Sequence, residues 1–271
     1  MLRTTKSRVL ATAVAAVIAA GVLSPVVAQA HGGGSHQAEP TVVLVHGAFA
    51  DSSGWNDVVQ RLQNHGYPVV AAANPLRSVA ADARTVRSII DSIDGPVVLV
   101  GHSYAGNVIS AAATGEKNVK ALVYVAAFLP DTGESAGELS NKFPGSTLAA
   151  TLQQVPVAGG GTDLYIDQAK FPQQFAADVP VRKAKLLAVS QRPVDAAALA
   201  EPATGVPAWR SIASYDLIPG ADRNIPPAAQ YWMAKRARAK VVSVPGASHL
   251  VLASHPGVTA ELIERAARET K

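Results

Sequence analysis

One serine lies where a buried strand gives way to a helix, in the stretch Pro96–Gly106, PVVLVGHSYAG. Its apolar run ends at Gly101, and Ser103 follows between small residues. In an open parallel sheet, ligands bind outside the carboxyl ends of the strands, where helix N-termini present unpaired N–H groups. A tight turn there lifts a serine hydroxyl clear of the backbone, and large side chains at Gly101 or Ala105 would block that turn. The pattern therefore predicts that Ser103 is a nucleophile.

The segment from Gly101 to Gly106, GHSYAG, resembles the nucleophile elbow of the α/β-hydrolase superfamily, with Ala105 in place of the last glycine of G-x-S-x-G. Alanine is small enough for this position, but a positive φ there would strain it. The resemblance covers residues 40–271 and is closest to the branch of small esterases and hydroxynitrile lyases. It implies an α/β fold, with a six-stranded, mostly parallel sheet, helices on both faces and an inserted helical lid.

A serine hydroxyl needs a general base, and the base needs an acid that orients it. In the resembling family the chain order is serine, acid, histidine. The resemblance implies that His249, after the last strand, is the base, and that Asp222, after the penultimate strand, is the acid. The alternatives are that His249 is only a hydrogen-bonded loop residue and that Asp222 forms an Asx turn or caps a helix. Asp131 follows the fourth strand and is a second possible position for the acid, while His102 is interpreted as a supporting residue.

Acyl transfer also needs N–H donors for the negatively charged oxygen of the tetrahedral intermediate, the oxyanion. The resemblance implies that one donor is the backbone N–H of Tyr104, which follows the serine. It assigns the second to the loop after the first strand, VHGAFADSSGW, where Gly47 gives the backbone freedom. We expect the N–H of Phe49 to point into the site.

Short apolar runs alternate with helical patterns along the chain, which is typical of a parallel sheet covered on both faces. The predicted strands are Thr41–His46, Pro68–Ala73, Pro96–Gly101, Val119–Ala127, Ser214–Ile218 and Lys240–Val244. Predicted helices lie near residues 55–62 and 79–93, at 103–113, 226–239 and 256–268, and, within a lid at about 130–210, near Ser146–Gln153, Phe171–Ala177 and Val181–Ser190. Asp216 interrupts a predicted strand, and we expect it at a sheet edge or hydrogen-bonded locally.

The N-terminal region has a composition of its own. Three basic residues precede an Ala/Val-rich run that ends in Ala28-Gln29-Ala30, which predicts a secretory signal over residues 1–30. An uncleaved membrane anchor is the alternative. Residues 31–39 are predicted to be a flexible Gly-rich tail, and residues 40–271 the hydrolase domain. Without the signal, 21 basic residues face 20 acidic ones (24 minus 3 against 20), so no nucleic-acid surface is expected.

The chain has no cysteine, which excludes disulfides, thiolate metal sites and a cysteine nucleophile. We expect no metal and no organic cofactor. The leading hypothesis is a secreted carboxylesterase-like hydrolase that cleaves small esters through an acyl-enzyme on Ser103. A hydroxynitrile lyase is an alternative, but related lyases carry a lysine next to the histidine, where this chain has Leu250. A non-catalytic ligand-binding relative is the third option. Five lid aromatics could line an apolar pocket: Phe143, Tyr165, Phe171, Phe175 and Trp209.

Overall fold

The computed structural model describes residues 39–270. The predicted signal over residues 1–30 lies outside the described residues, as does the predicted flexible tail except Glu39. Within residues 39–270 no helix has both the length and the apolar character needed to span a membrane.

The described chain forms nine strands, and several of them are Val-rich, a composition that favours extended backbone. In chain order they are β1 Thr41–Val45, β2 Val69–Ala72, β3 Val97–His102, β4 Val119–Val125, β5 Leu152–Pro156, β6 Thr162–Ile166, β7 Val194–Asp195, β8 Ala213–Pro219 and β9 Lys240–Val244.

Six of these strands form the central sheet, in the order β2-β1-β3-β4-β8-β9. Every neighbouring pair is parallel, so the carboxyl ends of all six strands lie at one edge. Strand β3 sits between β1 and β4 and is buried along its whole length. The six-stranded parallel sheet predicted from the sequence is confirmed.

Ten α-helices accompany the strands. They are α1 Asn56–Asn64, α2 Val79–Asp91, α3 Ala105–Ala112, α4 Ala136–Asn141, α5 Phe171–Phe175, α6 Val181–Ser190, α7 Ala196–Ala200, α8 Pro227–Ala237, α9 Val251–Ser254 and α10 Pro256–Glu269. Three 3₁₀ turns span Ser52–Trp55, Leu148–Thr151 and Ala208–Arg210.

Helices cover both faces of the sheet, as two neighbouring residues of β8 demonstrate. The hydroxyl of Tyr215 donates to Glu269 of α10. The next residue, Asp216, lies opposite Tyr124 of β4, whose hydroxyl bonds Ser110 of α3. Because successive strand residues point to opposite faces, α10 and α3 lie on opposite sides of the sheet.

The segment between β4 and β8, called the lid below, is not purely helical as predicted. It combines α4 to α7 with a three-stranded antiparallel sheet in the order β5-β6-β7. The segment predicted as a helix near Ser146–Gln153 is a 3₁₀ turn that leads into β5. Four of the five β5 residues are exposed, so this strand lacks the alternation of buried and polar residues that reveals a strand in sequence.

The expectation for Asp216 is wrong. This residue lies in β8 between β4 and β9, away from both sheet edges, and is fully buried. Neither carboxyl oxygen has a hydrogen-bond partner among the described residues. Burial raises the pKa of Asp216 well above its usual value, because the charged form loses its hydration. Burial therefore favours the neutral form of this carboxyl inside the sheet.

Candidate active site

Ser103 lies between the end of β3 and the start of α3, in a sharp turn with φ of 56°. Its neighbours must be small: a Cβ on Gly101 would lie 2.8 Å from the Ala105 carbonyl oxygen, and one on Gly106 would lie 2.0 Å from the Phe128 carbonyl oxygen. Ala105 begins α3 and is not among the residues with positive φ, so alanine there carries no strain. The residue of this turn with the strained backbone conformation is Ser103 itself.

The structure brings the three predicted side chains together at the carboxyl edge of the sheet. His249 Nε2 lies 2.8 Å from Ser103 Oγ, and His249 Nδ1 lies 2.7 Å from Asp222 Oδ2. The histidine and the aspartate are buried, and Ser103 is 7% exposed. This order of serine, imidazole and carboxylate is the geometry in which a histidine can accept a proton from a serine hydroxyl.

The Asp222 carboxylate accepts four hydrogen bonds, so both of its buried oxygens have polar partners. Two come from the backbone N–H groups of Asn224 and Ile225, at 2.7 and 3.1 Å. The others come from His249 and from the Gln230 amide at 2.8 Å. Asp222 therefore combines the two arrangements considered from the sequence: one oxygen accepts from the backbone in an Asx turn, and the other contacts the imidazole. Gln230 on α8 was not anticipated, and no sequence signal marks it.

Asp131 does not reach this site. Its carboxylate forms an ion pair with Arg210 at the surface of the lid. Hydrogen bonding from that guanidinium holds the pKa of Asp131 below its usual value. The second position considered for the acid is thus occupied by a surface ion pair.

His102, the middle residue of the Gly-His-Ser sequence, supports the loop that carries His249. Its Nε2 lies 3.2 Å from the carbonyl oxygen of His249, so the ring donates there, and the two rings are 4.9 Å apart. Burial, reinforced by the neighbouring His249, lowers the pKa of His102 well below its usual value. A neutral His102 thus fixes the backbone of His249.

The prediction for Phe49 is wrong. Its N–H donates to the Arg192 carbonyl oxygen in the lid at 3.1 Å and does not face the site. Ala48, one residue earlier, lines the same pocket as Ser103, and its N–H has no acceptor within residues 39–270. A Cβ on Gly47 would lie 2.7 Å from the Cβ of Ser103, so this loop presses directly against the serine.

Tyr104 provides the other free N–H, and its side chain anchors the turn. Its backbone N–H has no acceptor in the described chain. Its hydroxyl donates to the buried Asp82 Oδ2 on α2 at 3.0 Å. Burial raises the pKa of Asp82 and also that of Tyr104. Sequence reasoning missed Asp82, because an acid on an amphipathic helix gives no sign of the residue it will meet.

The lid closes over the site from the histidine side. The Phe175 ring lies 4.8 Å from the His249 ring, and the Phe175 carbonyl accepts the N–H of Leu250 at 3.0 Å. Asp178, which follows in the lid, accepts hydrogen bonds from the hydroxyl and N–H of Ser248. The lid and the loop that carries His249 are therefore joined by hydrogen bonds on both sides of the histidine.

A cavity of about 150 Å³ opens between the lid and the carboxyl edge of the sheet. Its lining contains Ser103 and His249 but no lysine, arginine, aspartate or glutamate. Of the five lid aromatics considered from sequence, Phe175 lines this cavity. The other side chains that shape it include Phe49, Phe128, Leu148, Leu152, Leu199 and Ile225.

Metal ligands are not clustered in the described part of the chain. Within residues 39–270 no three histidine, aspartate or glutamate side chains are grouped so that they could hold a metal ion.

Known proteins share this architecture. The chain is 27% identical over 252 residues to an alpha/beta hydrolase of Aspergillus novofumigatus (strain IBT 16806), covering 85% of this chain and 98% of that protein. It is similar to the structure of polyneuridine aldehyde esterase, with a TM-score of 0.73, 21% identity, and coverage of 84% and 98% of the two chains. A pyrethroid hydrolase structure matches with a TM-score of 0.70, 25% identity, and coverage of 85% and 98%.

The family model described as the alpha/beta hydrolase family matches residues 42–262, from β1 to α10. This match covers most of the chain and includes the serine turn, both later loops and the lid. The chain belongs to the alpha/beta hydrolase family.

Proposed function

We propose that this protein is a serine esterase that cleaves small, neutral esters through an acyl-enzyme. The observation that carries the proposal is the continuous pair of hydrogen bonds from Ser103 Oγ to His249 and from His249 to Asp222, at 2.8 and 2.7 Å. Among the described residues that line the pocket, His249 is the sole histidine. Its relatives are hydrolases and esterases.

In this mechanism Ser103 Oγ attacks the ester carbonyl carbon while His249 Nε2 takes the hydroxyl proton. Asp222 holds the imidazole by Nδ1–H and stabilises the imidazolium that forms. The imidazolium then gives its proton to the departing alcohol, which leaves an acyl group on Ser103. A water molecule, deprotonated by His249, attacks that acyl group and releases the carboxylic acid. The Ser103 hydroxyl is regenerated, so the cycle needs no cofactor.

The tetrahedral intermediates carry negative charge on the former carbonyl oxygen. We assign its stabilisation to the backbone N–H groups of Tyr104 and Ala48, because both are free and flank Ser103. Donors of this kind, fixed before the reaction begins, lower the barrier more than donors that must reorient. Tyr104 is held by its bond to Asp82, and Ala48 by the close contact of Gly47 with the elbow.

The pocket lining supports a neutral substrate. No lysine, arginine, aspartate or glutamate lines the cavity, so a carboxylate or ammonium on the substrate would lose hydration without gaining a partner. The apolar walls stabilise alkyl or aryl groups by removing them from water. Acids such as succinate half-esters are therefore expected to be much poorer substrates than their neutral diesters.

The test is covalent labelling. Treating the purified mature chain with a fluorophosphonate should place one adduct on Ser103, located by peptide mass, and His249→Ala should abolish labelling and hydrolysis of p-nitrophenyl acetate. A chain that is not labelled and cleaves no ester in a short-chain panel contradicts the proposal and favours a binding role. A cyanohydrin-cleavage assay on the same sample separates esterase from lyase activity.

We also propose that the protein is exported, on the basis of the sequence of residues 1–30. The N-terminus of the protein purified from culture medium should begin just after Ala30. Recovery of the full-length chain in the membrane fraction would contradict export with cleavage and favour an uncleaved anchor.

A further inference from the structure

Two lid serines, Ser140 and Ser146, form a polar strip in the otherwise apolar lining of the pocket. Their hydroxyls converge on one backbone carbonyl oxygen, that of Asn224, at 3.0 Å for Ser140 and 2.9 Å for Ser146. The two hydroxyl oxygens lie 3.4 Å from each other. Both serines are only half-buried, so they are open to whatever fills the cavity.

The direction of these hydrogen bonds decides what the strip can recognise. A carbonyl oxygen only accepts, and each serine hydroxyl has one hydrogen to donate. Ser140 and Ser146 therefore both donate their hydrogens to Asn224. Each hydroxyl oxygen keeps lone pairs that can accept a further hydrogen bond. Toward the cavity the two serines act as acceptors and not as donors.

The nearby amides make hydrogen bonds of their own. The Asn224 side chain makes two hydrogen bonds with Gln174: its nitrogen donates to the Gln174 backbone carbonyl, and its oxygen accepts from the Gln174 side-chain amide. The side-chain amide of Asn141 donates to the Gly137 carbonyl at 2.8 Å. The main feature of this wall is thus a pair of hydroxyl lone pairs within an apolar surface.

We propose that the preferred ester carries a neutral hydrogen-bond donor, a hydroxyl or an amide N–H, that binds to the Oγ atoms of Ser140 and Ser146. This inference rests on the proposed esterase function and narrows its substrate class. The donor must be neutral, because no carboxylate lines the pocket to balance an ammonium group. The remainder of the substrate is apolar, because the leucines and aromatic rings of the lining offer it no polar partner.

The test compares matched esters that differ only in one substituent. On the acyl side these are methyl 4-(hydroxymethyl)benzoate, methyl 4-(methoxymethyl)benzoate and methyl 4-ethylbenzoate. On the alcohol side, 4-(hydroxymethyl)benzyl acetate is compared with 4-ethylbenzyl acetate. We expect the hydroxymethyl compound to have a kcat/KM roughly threefold to tenfold above the ethyl compound in at least one series, the range for one neutral hydrogen bond. The methoxymethyl ester, which only accepts, should not share this advantage.

The variant Ser140→Ala/Ser146→Ala should remove the preference, so that the ratio of hydroxymethyl to ethyl kcat/KM falls to about one. Loss of both hydroxyls can also shift the Asn224 loop and slow every substrate, so the ratio within each variant is the readout. Ser211→Ala is the matched control, because that hydroxyl also donates to a backbone carbonyl but lies outside the pocket. It should keep the wild-type ratio.

A wild-type ratio of one or less in both series, or a ratio that survives in the double variant, overturns the inference. Failure of the proposed function looks different: all five esters stay intact and Ser103 is not labelled by fluorophosphonate. In that case calorimetry with Ser103→Ala still tests the serine strip. Tighter binding of the hydroxymethyl benzoate than of the ethyl benzoate supports it, and equal affinity overturns it.

Discussion

Two buried aspartates, one in the middle of the sheet and one at its carboxyl edge, belong to the same stretch of chain. Asp216 lies inside β8, and Asp222 follows in the loop after that strand. Neither carboxyl is exposed to solvent, with residue exposures of 0% and 4%. Asp222 accepts four hydrogen bonds, whereas Asp216 has no partner among the described residues. Burial of an acid therefore does not distinguish a reactive site from the core; its donors do.

The difference has consequences for the two carboxyl groups. The donors around Asp222 replace the water that its oxygens lose on burial beside His249. Asp216 has no such replacement, so burial favours its neutral form. Changes at the edge of the sheet should therefore alter the rate of reaction, and changes in its middle should alter stability.

The largest expected effect is that of Asp222→Asn. An amide cannot stabilise the imidazolium and can hold His249 in the wrong tautomer, which costs roughly 10⁴-fold in kcat in serine proteases with the same three groups. We expect a loss of that order in kcat/KM for p-nitrophenyl acetate, measured beside the thermal unfolding midpoint.

The matched control is the same substitution six residues earlier, Asp216→Asn, which should leave kcat/KM within about twofold of wild type because no reacting atom is nearby. A comparable loss of activity in both variants would contradict the assignment of a catalytic role to Asp222 alone. Full activity of Asp222→Asn would remove Asp222 from the mechanism.

The second effect concerns the N–H groups at the edge. Replacing Ala48 by its α-hydroxy acid analogue removes one N–H and leaves the side chain in place. Loss of one such donor costs roughly 10²- to 10³-fold in kcat. The same replacement at Phe49 removes only the bond to Arg192 in the lid and should cost far less. If the Phe49 analogue shows the larger loss in kcat, the assignment of Ala48 is wrong.

The sequence predicted those parts of the molecule that depend on neighbours in the chain. The alternation of Val-rich runs with helical stripes indicates the parallel sheet, and the strand-serine-helix pattern around Ser103 lies in one short segment. Asp222 and His249 were placed by the resemblance and by their positions after the last two strands. The structure brings both to the serine because parallel strands end at one edge.

The failures all depend on partners far away in the sequence. The backbone N–H of Phe49 is not free for the substrate, because it donates to the carbonyl oxygen of Arg192 in the lid. Asp216 was expected at a sheet edge or hydrogen-bonded locally, because the sequence does not reveal that its strand lies between two others. The lid sheet was missed because β5 is mostly exposed and pairs with β6 through a Gly-rich hairpin. Local patterns do not contain this information.

A smaller effect is expected from Asp216→Asn on stability. The folded pKa is raised above the unfolded value of about 4, so at higher pH only the unfolded chain ionises at this position. Wild-type stability must then fall as pH rises from about 4 toward the folded pKa, and the asparagine variant escapes this loss. We expect it to be more stable than wild type at pH 7 and similar to wild type near pH 4. Urea unfolding across this range provides the measurement.

An advantage of Asp216→Asn that does not change with pH would contradict a neutral buried acid. A lower stability at pH 7 would mean that the carboxyl makes a favourable contact that asparagine cannot reproduce. Tyr124 lies opposite Asp216 in the β4–β8 pair, but its hydroxyl bonds Ser110 and not the Asp216 carboxyl. Tyr124→Phe should therefore leave the pH dependence in place.

The smallest expected effect is a loss of stability as pH falls, and it comes from two histidines at the carboxyl ends of the strands. The pKa values of His102 and His46 are lowered by burial, so the folded chain stays unprotonated where the unfolded chain, with histidine pKa near 6.5, binds protons. This contribution to stability is fully present above about pH 6.5 and is lost as pH falls below it, by at most about 1.4 kcal/mol per pH unit for each histidine.

His102→Gln should remove the contribution of one histidine to this pH dependence, measured by urea unfolding between pH 7.5 and 5. Asp216→Asn should make the measured slope steeper, because it removes the opposing loss of stability that Asp216 causes as pH rises above about 4. An unchanged acid slope in His102→Gln would show that this ring takes up a proton in the folded chain, and its bond to the His249 carbonyl would then belong to a charged donor.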